Sequence, residues 1–267
     1  MANFPVMIEE VSANPPALEE IAMLAMEFGR LLMECGASAQ IVDEYVVRVA
    51  RGLGAQRVDL RIGYASLAIT VGVGGEGITR MRKVGPLGVN QRLDQALRQL
   101  GRRLEIESLT APVTRAELER LVRETPRHPG WFIDLAVGLA CASFGRLLGV
   151  DWLAFGPIFC AAAIGQFCRR QLLVRHVNVF ITATLIAFLA SVLSGLGARW
   201  AGSATVDAAM TAAVLLLVPG VPSLNAQYDI LDGRPTLGSA RAVWVAVILV
   251  FLTAGVWLGQ IALGEGR

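Results

Sequence analysis

The chain has 267 residues, of which 54% are hydrophobic and only 17% are charged, and its mean hydropathy is +0.55. This composition indicates an integral membrane protein. A formal net charge of +2 excludes the strongly basic surface that nucleic-acid binding requires. The charges are unevenly spread, since 16 of the 22 acidic and 16 of the 24 basic residues lie in residues 1–130. The sequence therefore predicts a water-exposed first half and a membrane-embedded second half.

The start of the chain does not have the pattern of a secretory signal. Residues 1–16 contain no basic segment followed by an apolar one, so we predict a flexible N-terminus and no cleaved signal peptide. The four cysteines form no C-x-x-C pair and have no histidines at metal-ligand spacing. We therefore expect them to be small buried apolar residues, and we expect neither a metal nor a cofactor.

Residues 17–125 are predicted to form a small cytoplasmic α+β domain. Apolar residues recur at helical spacing over residues 17–53, which indicates two amphipathic helices. Asn90 is predicted to cap a third helix. Thr114 and Glu117 match a capping box that would begin a fourth.

Three stretches of this domain alternate apolar and polar residues as strands do: residues 58–62, 67–71 and 78–84. The glycines between the last two, Gly72-Val-Gly74-Gly-Glu-Gly77, match the G-x-G-x-x-G pattern of dinucleotide-binding folds. Those folds require a helix after the third glycine, whereas the residues after Gly77 have a strand pattern. We therefore interpret the cluster as a hairpin turn.

Residues 126–267 are predicted to form a transmembrane helical domain. Each of its apolar segments is close to the roughly 20 residues that a bilayer requires. The predicted spans are residues 131–148, 153–173, 177–196, 206–224 and 240–263. The predicted fold class is thus an α-helical integral membrane bundle of about five transmembrane helices, preceded by the small cytoplasmic α+β domain.

The arginines predict the orientation of the bundle. One side carries those before the first span, between the second and third, and between the fourth and fifth: Arg115, Arg120, Arg123, Arg127, Arg169, Arg170, Arg175, Arg234 and Arg241. The other side carries only Arg146, Arg199 and Arg267. The excess of positive charge places the N-terminus in the cytoplasm of a bacterial inner membrane and the C-terminus in the periplasm.

The fourth span is interrupted in its middle by Pro219, Gly220 and Pro222. Each of these residues frees or weakens backbone hydrogen bonds that lipid cannot replace. Such breaks persist where they face protein or a water-filled cavity, and in transporters the freed groups bind substrate or ions. The sequence shows no catalytic nucleophile with its base and no G-x-S-x-G, H-E-x-x-H or Walker pattern. It therefore favours a transporter over an enzyme.

Three polar residues at membrane depth are further candidates for the substrate pathway. Asn225 and Asp229 are one turn apart, so they share a face if helix resumes after Pro222. Asn225 would donate to a substrate carboxylate, and Asp229 would carry a proton or bind an amino group. Alternatively, Asp229 belongs to a cytoplasmic turn with no transport role. Asp134, one turn inside the first span, is either a proton-relay residue or an interfacial one.

Two G-x-x-x-G pairs, Gly145 with Gly149 and Gly255 with Gly259, are typical of closely packed membrane helices. We expect these glycines to contact other helices, either of this chain or of a partner.

Several segments together resemble the threonine/serine exporter family, over about residues 18–263. They are Cys35-Gly-Ala-Ser38, Arg82-Lys83 with Gly88-Val-Asn90, Val137-Gly-Leu-Ala-Cys-Ala-Ser143, and Val214-Leu-Leu-Leu-Val-Pro-Gly220 through Pro222, Asn225 and Asp229. The resemblance implies a cytoplasmic domain, a membrane bundle, and export of small carboxylates or hydroxylated amino acids. It is strongest to stand-alone members that resemble half of a succinate exporter and work with a second small membrane subunit.

The resemblance and the broken span together predict one subunit of a secondary-active exporter. Succinate is the first choice of substrate, and threonine or serine is the second. Coupling to a proton gradient is expected, because the sequence has no nucleotide-hydrolysis motif. A function of a different class, a membrane-anchored sensor or scaffold, is the alternative. An anchor would need neither a broken helix nor polar groups at membrane depth.

Overall fold

The computed structural model describes residues 18–107, 109–126 and 128–264. The chain divides into two compact units, Met1–Thr125 and Pro126–Arg267, and each has its own hydrophobic core. The flexible N-terminus predicted for residues 1–16 lies outside the described residues, as do Arg127 and Arg267, which entered the prediction of orientation.

The first unit combines a three-stranded antiparallel sheet with four helices. Its strands are β1 (Arg57–Ile62), β2 (Ser66–Val73) and β3 (Glu76–Lys83), in the order β1-β2-β3. Its helices are α1 (Leu18–Cys35), α2 (Ala39–Gly52), α3 (Gln91–Glu107) and α4 (Ala111–Glu124). Helices α1 and α2 pack against the sheet, α3 packs against both of these helices, and α4 packs against α1 and α3. The predicted small sheet near the N-terminus is therefore confirmed.

The glycine cluster forms the β2–β3 hairpin turn, as the sequence predicts. Gly74 and Gly75 have φ values of 55° and 96°, a region of backbone conformation that glycine adopts without strain. Val71 and Ile78 then pair across the two strands. A dinucleotide fingerprint would need a helix after Gly77, and the structure has a strand there.

One of the two predicted helix starts is confirmed and the other is wrong. The Asn90 Oδ1 accepts a hydrogen bond from the Leu93 amide at 3.2 Å, so Asn90 caps α3. Helix α4, however, begins at Ala111 after Thr110, three residues before the predicted cap. Pro112 explains the earlier start, because a proline with its fixed φ favours the first turn of a helix. The Thr114 side chain is buried, and its hydroxyl donates to the Thr110 carbonyl at 3.0 Å.

The second unit consists of helices joined by short connections. The helices are α5 (Gly130–Leu147), α6 (Phe155–Val174), α7 (Val179–Trp200), α8 (Val206–Ala212), a 3₁₀ turn (Leu215–Leu217), α9 (Gly220–Leu231) and α10 (Pro235–Leu263). Helix α5 packs on α6, α6 on α7, and α7 on α10. Helix α8 packs chiefly on α7, and α9 packs on α10.

The prediction of five spans is not confirmed. In the part of the chain that the structure describes, three helices are long and apolar enough to cross a membrane, namely α5, α7 and α10. The bent pair formed by Val206–Leu217 and Gly220–Leu231 raises the number to four if it is one span. Helix α6 does not belong to this set. It carries Arg169 and Arg170, which the sequence analysis placed in a loop, inside its last turns.

The contacts between the membrane helices are made largely by small residues. A Cβ atom on Gly255 would lie 2.5 Å from the Thr184 carbonyl oxygen of α7, and one on Gly259 would lie 3.0 Å from the Ser191 side chain. Gly145 faces α6 and α8, where its Cβ would lie 3.1 Å from that of Ala212. Gly149 is placed differently, since it follows α5 with a φ of 90° and has open space around it.

Candidate functional site: a broken helix and two buried ion pairs

The break in the fourth predicted span is a sharp bend between α8 and α9. The two halves meet at 66°, with Val218 in an extended conformation and Pro219 at φ −79° and ψ 67° between them. The Pro219 carbonyl accepts hydrogen bonds from the Ser223 amide at 3.0 Å and from its hydroxyl at 2.8 Å. Pro222 lies in the first turn of α9, where the absence of its N–H leaves no helical hydrogen bond unmade.

One side of this bend is open. Val218 and Gly220 are exposed, and a Cβ atom on Gly220 would meet nothing within 4 Å. Helix α9 continues from the bend along α10, and it carries Asn225, half-buried, one turn before Asp229. The predicted pathway residues of this region lie at the bend and in the first turns of α9. They are Pro219, Gly220, Pro222, Asn225 and Asp229.

The Asp229 carboxylate forms a buried ion pair with Arg241. Asp229 is 0% exposed and Arg241 is 9% exposed, and the guanidinium Nη1 donates to the Asp229 Oδ2. Gly238 allows α9 and α10 to approach closely, since its Cβ would lie 2.8 Å from the Ala226 carbonyl oxygen. Asp229 thus lies inside a helix, and the turn that follows it consists of Asp232 and Gly233.

A second buried ion pair joins α5 to α6. The Arg170 Nη2 donates to the Asp134 Oδ2 at 2.6 Å, and Asp134 is only 6% exposed. The guanidinium lies beside the first residue of α5, because a Cβ atom on Gly130 would lie 2.5 Å from the Arg170 Cζ. It also lies 5.6 Å from the centre of the Phe167 ring. Glycine at position 130 therefore leaves room for the arginine head group.

Both ion pairs lie at the same end of the second unit. Asp134 and Arg241 are near the N-terminal ends of α5 and α10, whereas Arg170 and Asp229 are near the C-terminal ends of α6 and α9. Helices α7 and α10 run in the same direction, because Gly255 meets Thr184 and Gly259 meets Ser191. These four positions therefore lie toward the end at which α7 begins. The other end carries Asp151, which accepts hydrogen bonds from the Ser203 hydroxyl and from the Ala154 and Ala204 amides. The two buried aspartates that pair with arginines thus lie toward the same end.

Both aspartates were predicted from the sequence as pathway residues, but their arginine partners were not. Arg170 and Arg241 were assigned to cytoplasmic loops, whereas both lie inside helices and neutralise a carboxylate. A signal was present in the sequence, because an arginine at membrane depth requires a counter-charge. Asp134 and Asp229 were the acidic residues that the sequence placed at membrane depth. Sequence spacing alone could not pair them, since the partners of each pair are 36 and 12 residues apart.

Apolar helices, a broken helix and charge pairs with buried carboxylates are together typical of membrane transport proteins. Residues 23–262 match the family model ThrE, described as "Putative threonine/serine exporter". The chain therefore belongs to the threonine/serine exporter family and is a membrane protein of an exporter family. The family relationship points to a transporter and away from an enzyme.

Similar proteins come from bacteria and from a fungus. The chain is 30% identical to "Probable succinate transporter subunit YjjP" of Escherichia coli, over 88% of this chain and 92% of that protein. It is 30% identical to the protein of the same name from Klebsiella aerogenes, over 91% and 93%. It is 24% identical to "Pheromone-regulated membrane protein 10" of Eremothecium gossypii, over 88% of this chain and 32% of that protein. No solved structure matches the chain.

Proposed function

We propose that this chain is one subunit of a secondary-active exporter of small carboxylates, with succinate as its substrate. The observation that carries the proposal is the bend at Pro219, where a helix at membrane depth is broken and open on one side. Broken helices of this kind bind substrates in secondary transporters, because their freed backbone groups replace the water that a solute loses. Asn225, one turn beyond the bend, supplies an amide that can donate to a carboxylate.

The choice of succinate rests on the relatives and on the charges of the second unit. Two relatives at 30% identity are named as probable succinate transporter subunits. Threonine or serine is the second candidate, because the family model carries that description. An amino acid would need a carboxylate to hold its ammonium group. Asp134 and Asp229 each already face an arginine, which supports a purely anionic substrate.

A second small membrane subunit is the proposed partner. The relatives are named as subunits, and the second unit has large apolar faces that its own helices do not cover. Examples are Trp131 and Leu139 of α5 and Tyr228 and Leu231 of α9, whose exposures lie between 52% and 80%. Such faces suit either lipid or another membrane helix. The partner would supply the remaining helices around the bend.

The proposed location is the bacterial inner membrane, with the N-terminal unit in the cytoplasm and the C-terminus in the periplasm. In this orientation both buried ion pairs lie at the cytoplasmic end of the bundle, where a substrate for export enters. We propose that protons drive or accompany the transport, because the sequence has no motif for nucleotide hydrolysis. The bend at Pro219 would then take part in alternating access between the two sides.

Efflux measurements test this proposal. Cells that express the chain with and without a candidate second membrane subunit are loaded with labelled succinate or labelled threonine. Succinate efflux that requires both proteins is the expected result. Threonine efflux in place of succinate efflux would assign the second candidate. Efflux of neither compound by cells that contain both proteins in the membrane would contradict an exporter function.

Two variants test the assignment of the site. Asn225→Ala should reduce succinate efflux with no change in the amount of protein in the membrane, because it removes an amide beside the bend. Gln227→Ala is the matched control, since Gln227 is on the same helix and is exposed. Asp229→Asn should also reduce efflux, through loss of the contact that holds α9 against α10. Normal export by both Asn225→Ala and Asp229→Asn would show that this segment is not the substrate site.

A further inference from the structure

We propose that Asp134 and Arg170 form a proton-dependent carboxylate site. Arg170 holds Asp134 when that side chain is ionised, and it holds a carboxylate of the substrate when Asp134 is protonated. This inference rests on the proposed export of a carboxylate. It adds a binding site on α5 and α6, separate from the bend at Pro219, and it specifies how a proton enters the transport cycle.

The ion pair of Asp134 and Arg170 does not use all the hydrogen-bonding atoms of the two side chains. Arg170 reaches Asp134 through Nη2 alone, at 2.6 Å. The Asp134 Oδ1 and the Arg170 Nε are both buried, and neither has a hydrogen-bond partner among the described residues. A charge pair at membrane depth is stable only when its remaining donors and acceptors are satisfied. This pair therefore has capacity for one more donor at Asp134 and one more acceptor at Arg170.

A proton and a carboxylate supply the two missing groups. A proton on the Asp134 Oδ1 neutralises that side chain and removes its hold on the guanidinium. A substrate carboxylate can then accept two parallel hydrogen bonds from Arg170, through Nε and Nη2, which is the favoured geometry for this pair of groups. Counted over Asp134, Arg170 and the one carboxylate group that Arg170 binds, the net charge is zero before the exchange and zero after it; the second carboxylate of succinate lies outside this count. The exchange therefore avoids leaving an uncompensated charge in a low-dielectric region.

The position of Arg170 favours an anion at this site. Its guanidinium lies over Gly130, at the N-terminal end of the 18-residue helix α5. A helix N-terminus stabilises negative charge through its unpaired N–H groups. The Arg170 side chain is 37% exposed, whereas that of Asp134 is 8% exposed. A ligand can therefore reach the arginine from the end of the bundle, with Asp134 behind it.

The other charged groups around Asp134 do not substitute for it. Helix α6, which packs on α5, contributes Arg169 and Arg170, and Arg169 interacts with Gln166. The segment before α5 contributes His128, whose ring lies against Phe132. Helix α8 and the 3₁₀ turn also pack on α5. Within their described residues the charged side chain is Asp207, in the first turn of α8 at the opposite end of the bundle. Asp134 is therefore the acid that competes with substrate for Arg170.

The site makes the proton and the carboxylate cross the membrane in the same direction. Because the carboxylate binds only when Asp134 holds a proton, one proton and one carboxylate bind together and leave together. Efflux of succinate down its own gradient should therefore carry protons out with it. An antiporter would show the opposite proton movement, because its two ligands compete for one site.

The test measures labelled succinate exchange in vesicles that contain the chain and its partner subunit, with equal pH on both sides. Exchange by the unmodified protein should fall by up to about tenfold per pH unit as pH rises, as one linked proton requires. Asp134→Asn imitates the protonated side chain and should exchange succinate at a rate that hardly depends on pH. Arg170→Gln should lose exchange at every pH, and Arg170→Lys should recover only part of it, since lysine cannot form the two parallel hydrogen bonds.

Two control variants separate this site from general effects of charge. Asp207→Asn removes an exposed aspartate at the other end of the bundle, and Arg175→Gln removes an exposed arginine just after α6. Both should keep the pH dependence of the unmodified protein, including the part that comes from titration of succinate itself. A proton-sensitive dye inside the vesicles should report proton loss during net succinate efflux, and Asp134→Asn should abolish that signal.

The possible outcomes are distinguishable. A pH dependence of Asp134→Asn equal to that of Asp207→Asn would overturn the inference, even though the protein exports succinate. Normal exchange by Arg170→Gln would overturn it as well. Absence of exchange by the unmodified protein at every pH would contradict the proposed function itself. Equal loss of folded protein in Asp134→Asn and Arg170→Gln, with no exchange by either, would show that the pair only holds α5 to α6.

Discussion

The two units of this protein have cores built from different side chains. The largest fully buried residues of the first unit include Phe28, Leu32 and Leu97. The core of the second unit is rich in alanine: Ala142, Ala162, Ala187, Ala190, Ala198 and Ala212 are all 0% exposed. In water, burial of large apolar side chains is itself the driving force for folding. In lipid that force is absent between helices, and small residues allow the close backbone contacts that replace it.

The ion pairs of the two units also differ in how far they are exposed to water. The first unit has many ion pairs along its helix surfaces, such as Arg120 with Glu117, that are accessible to water. The ion pairs of the second unit include Asp134 with Arg170 and Asp229 with Arg241, and both of these carboxylates are buried. A surface pair adds little to stability, whereas breaking a buried pair leaves a charge without compensation. A lost charge should therefore matter most at Asp229 with Arg241, whose side chains are 1% and 10% exposed. Asp94 with Arg98 of the first unit resembles Asp134 with Arg170 in exposure.

Arg241→Gln should have the largest effect on stability. It removes the guanidinium that donates to the buried Asp229 carboxylate, and loss of one partner of a buried ion pair typically costs about 3–5 kcal/mol. Thermal unfolding of the purified protein in detergent measures this loss. The double variant Asp229→Asn with Arg241→Gln removes both charges and should recover most of the stability. A double variant no more stable than Arg241→Gln alone would show that the charge is not what matters.

Gly255→Ala should destabilise the contact between α7 and α10. The added Cβ atom would lie 2.5 Å from the Thr184 carbonyl oxygen and 2.7 Å from the Ala187 Cβ, so the helices must separate. Overpacking of this kind costs about 1–3 kcal/mol. Gly156→Ala is the control, because a Cβ there meets nothing within 4 Å. Equal melting temperatures for the two variants would argue against close packing at Gly255.

Glu27→Gln should have a smaller effect that depends on pH. Burial raises the pKa of the Glu27 carboxyl, but the hydrogen bond from Arg30 and the charges of Arg30 and Arg82 outweigh burial and hold this pKa below its ordinary value. A lowered pKa stabilises the fold above the unfolded value of roughly 4.3, and the stabilisation is lost as pH falls through the folded pKa. We expect a loss of about 1 kcal/mol at neutral pH.

Hydrogen exchange of the α1 amides measures this difference. The loss caused by Glu27→Gln should disappear when the pH is brought well below the ordinary range of a carboxyl group. Glu119→Gln, at an exposed position of α4, should show no comparable pH dependence. A loss of the same size at acid and neutral pH would mean that the charge of Glu27 does not contribute.

Arg120→Gln should have the smallest effect. Its Nη2 lies 2.7 Å from the Glu117 carboxylate, but the Arg120 side chain is 50% exposed. Such a pair contributes about 0.2–0.5 kcal/mol, and salt screens it. Thermal unfolding at low and high salt would detect the change. A loss as large as that of Arg241→Gln would refute the contrast between the two units.

Local features of the fold could be predicted from the sequence where neighbouring residues decide them. The three strands, the glycine hairpin and the Asn90 cap follow from residues within a few positions of one another, and the structure has all of them. Thr114 shows the limit of such reasoning, because Pro112 two residues earlier begins the helix first. The apolar content of α6 suggested a span of its own, but the arginines in its last turns lower its hydropathy.

The composition and order of residues thus determined that this chain has a polar first half, an apolar helical second half and a break at Pro219. Only the tertiary structure decided which charges meet. Arg170 and Asp134 are on different helices, and their contact depends on the direction, rotation and depth of both. Those quantities are set by the packing of small residues across the bundle, which no local pattern specifies. Lipid cannot solvate an isolated charge, so this packing also determines where charge can be held inside the membrane.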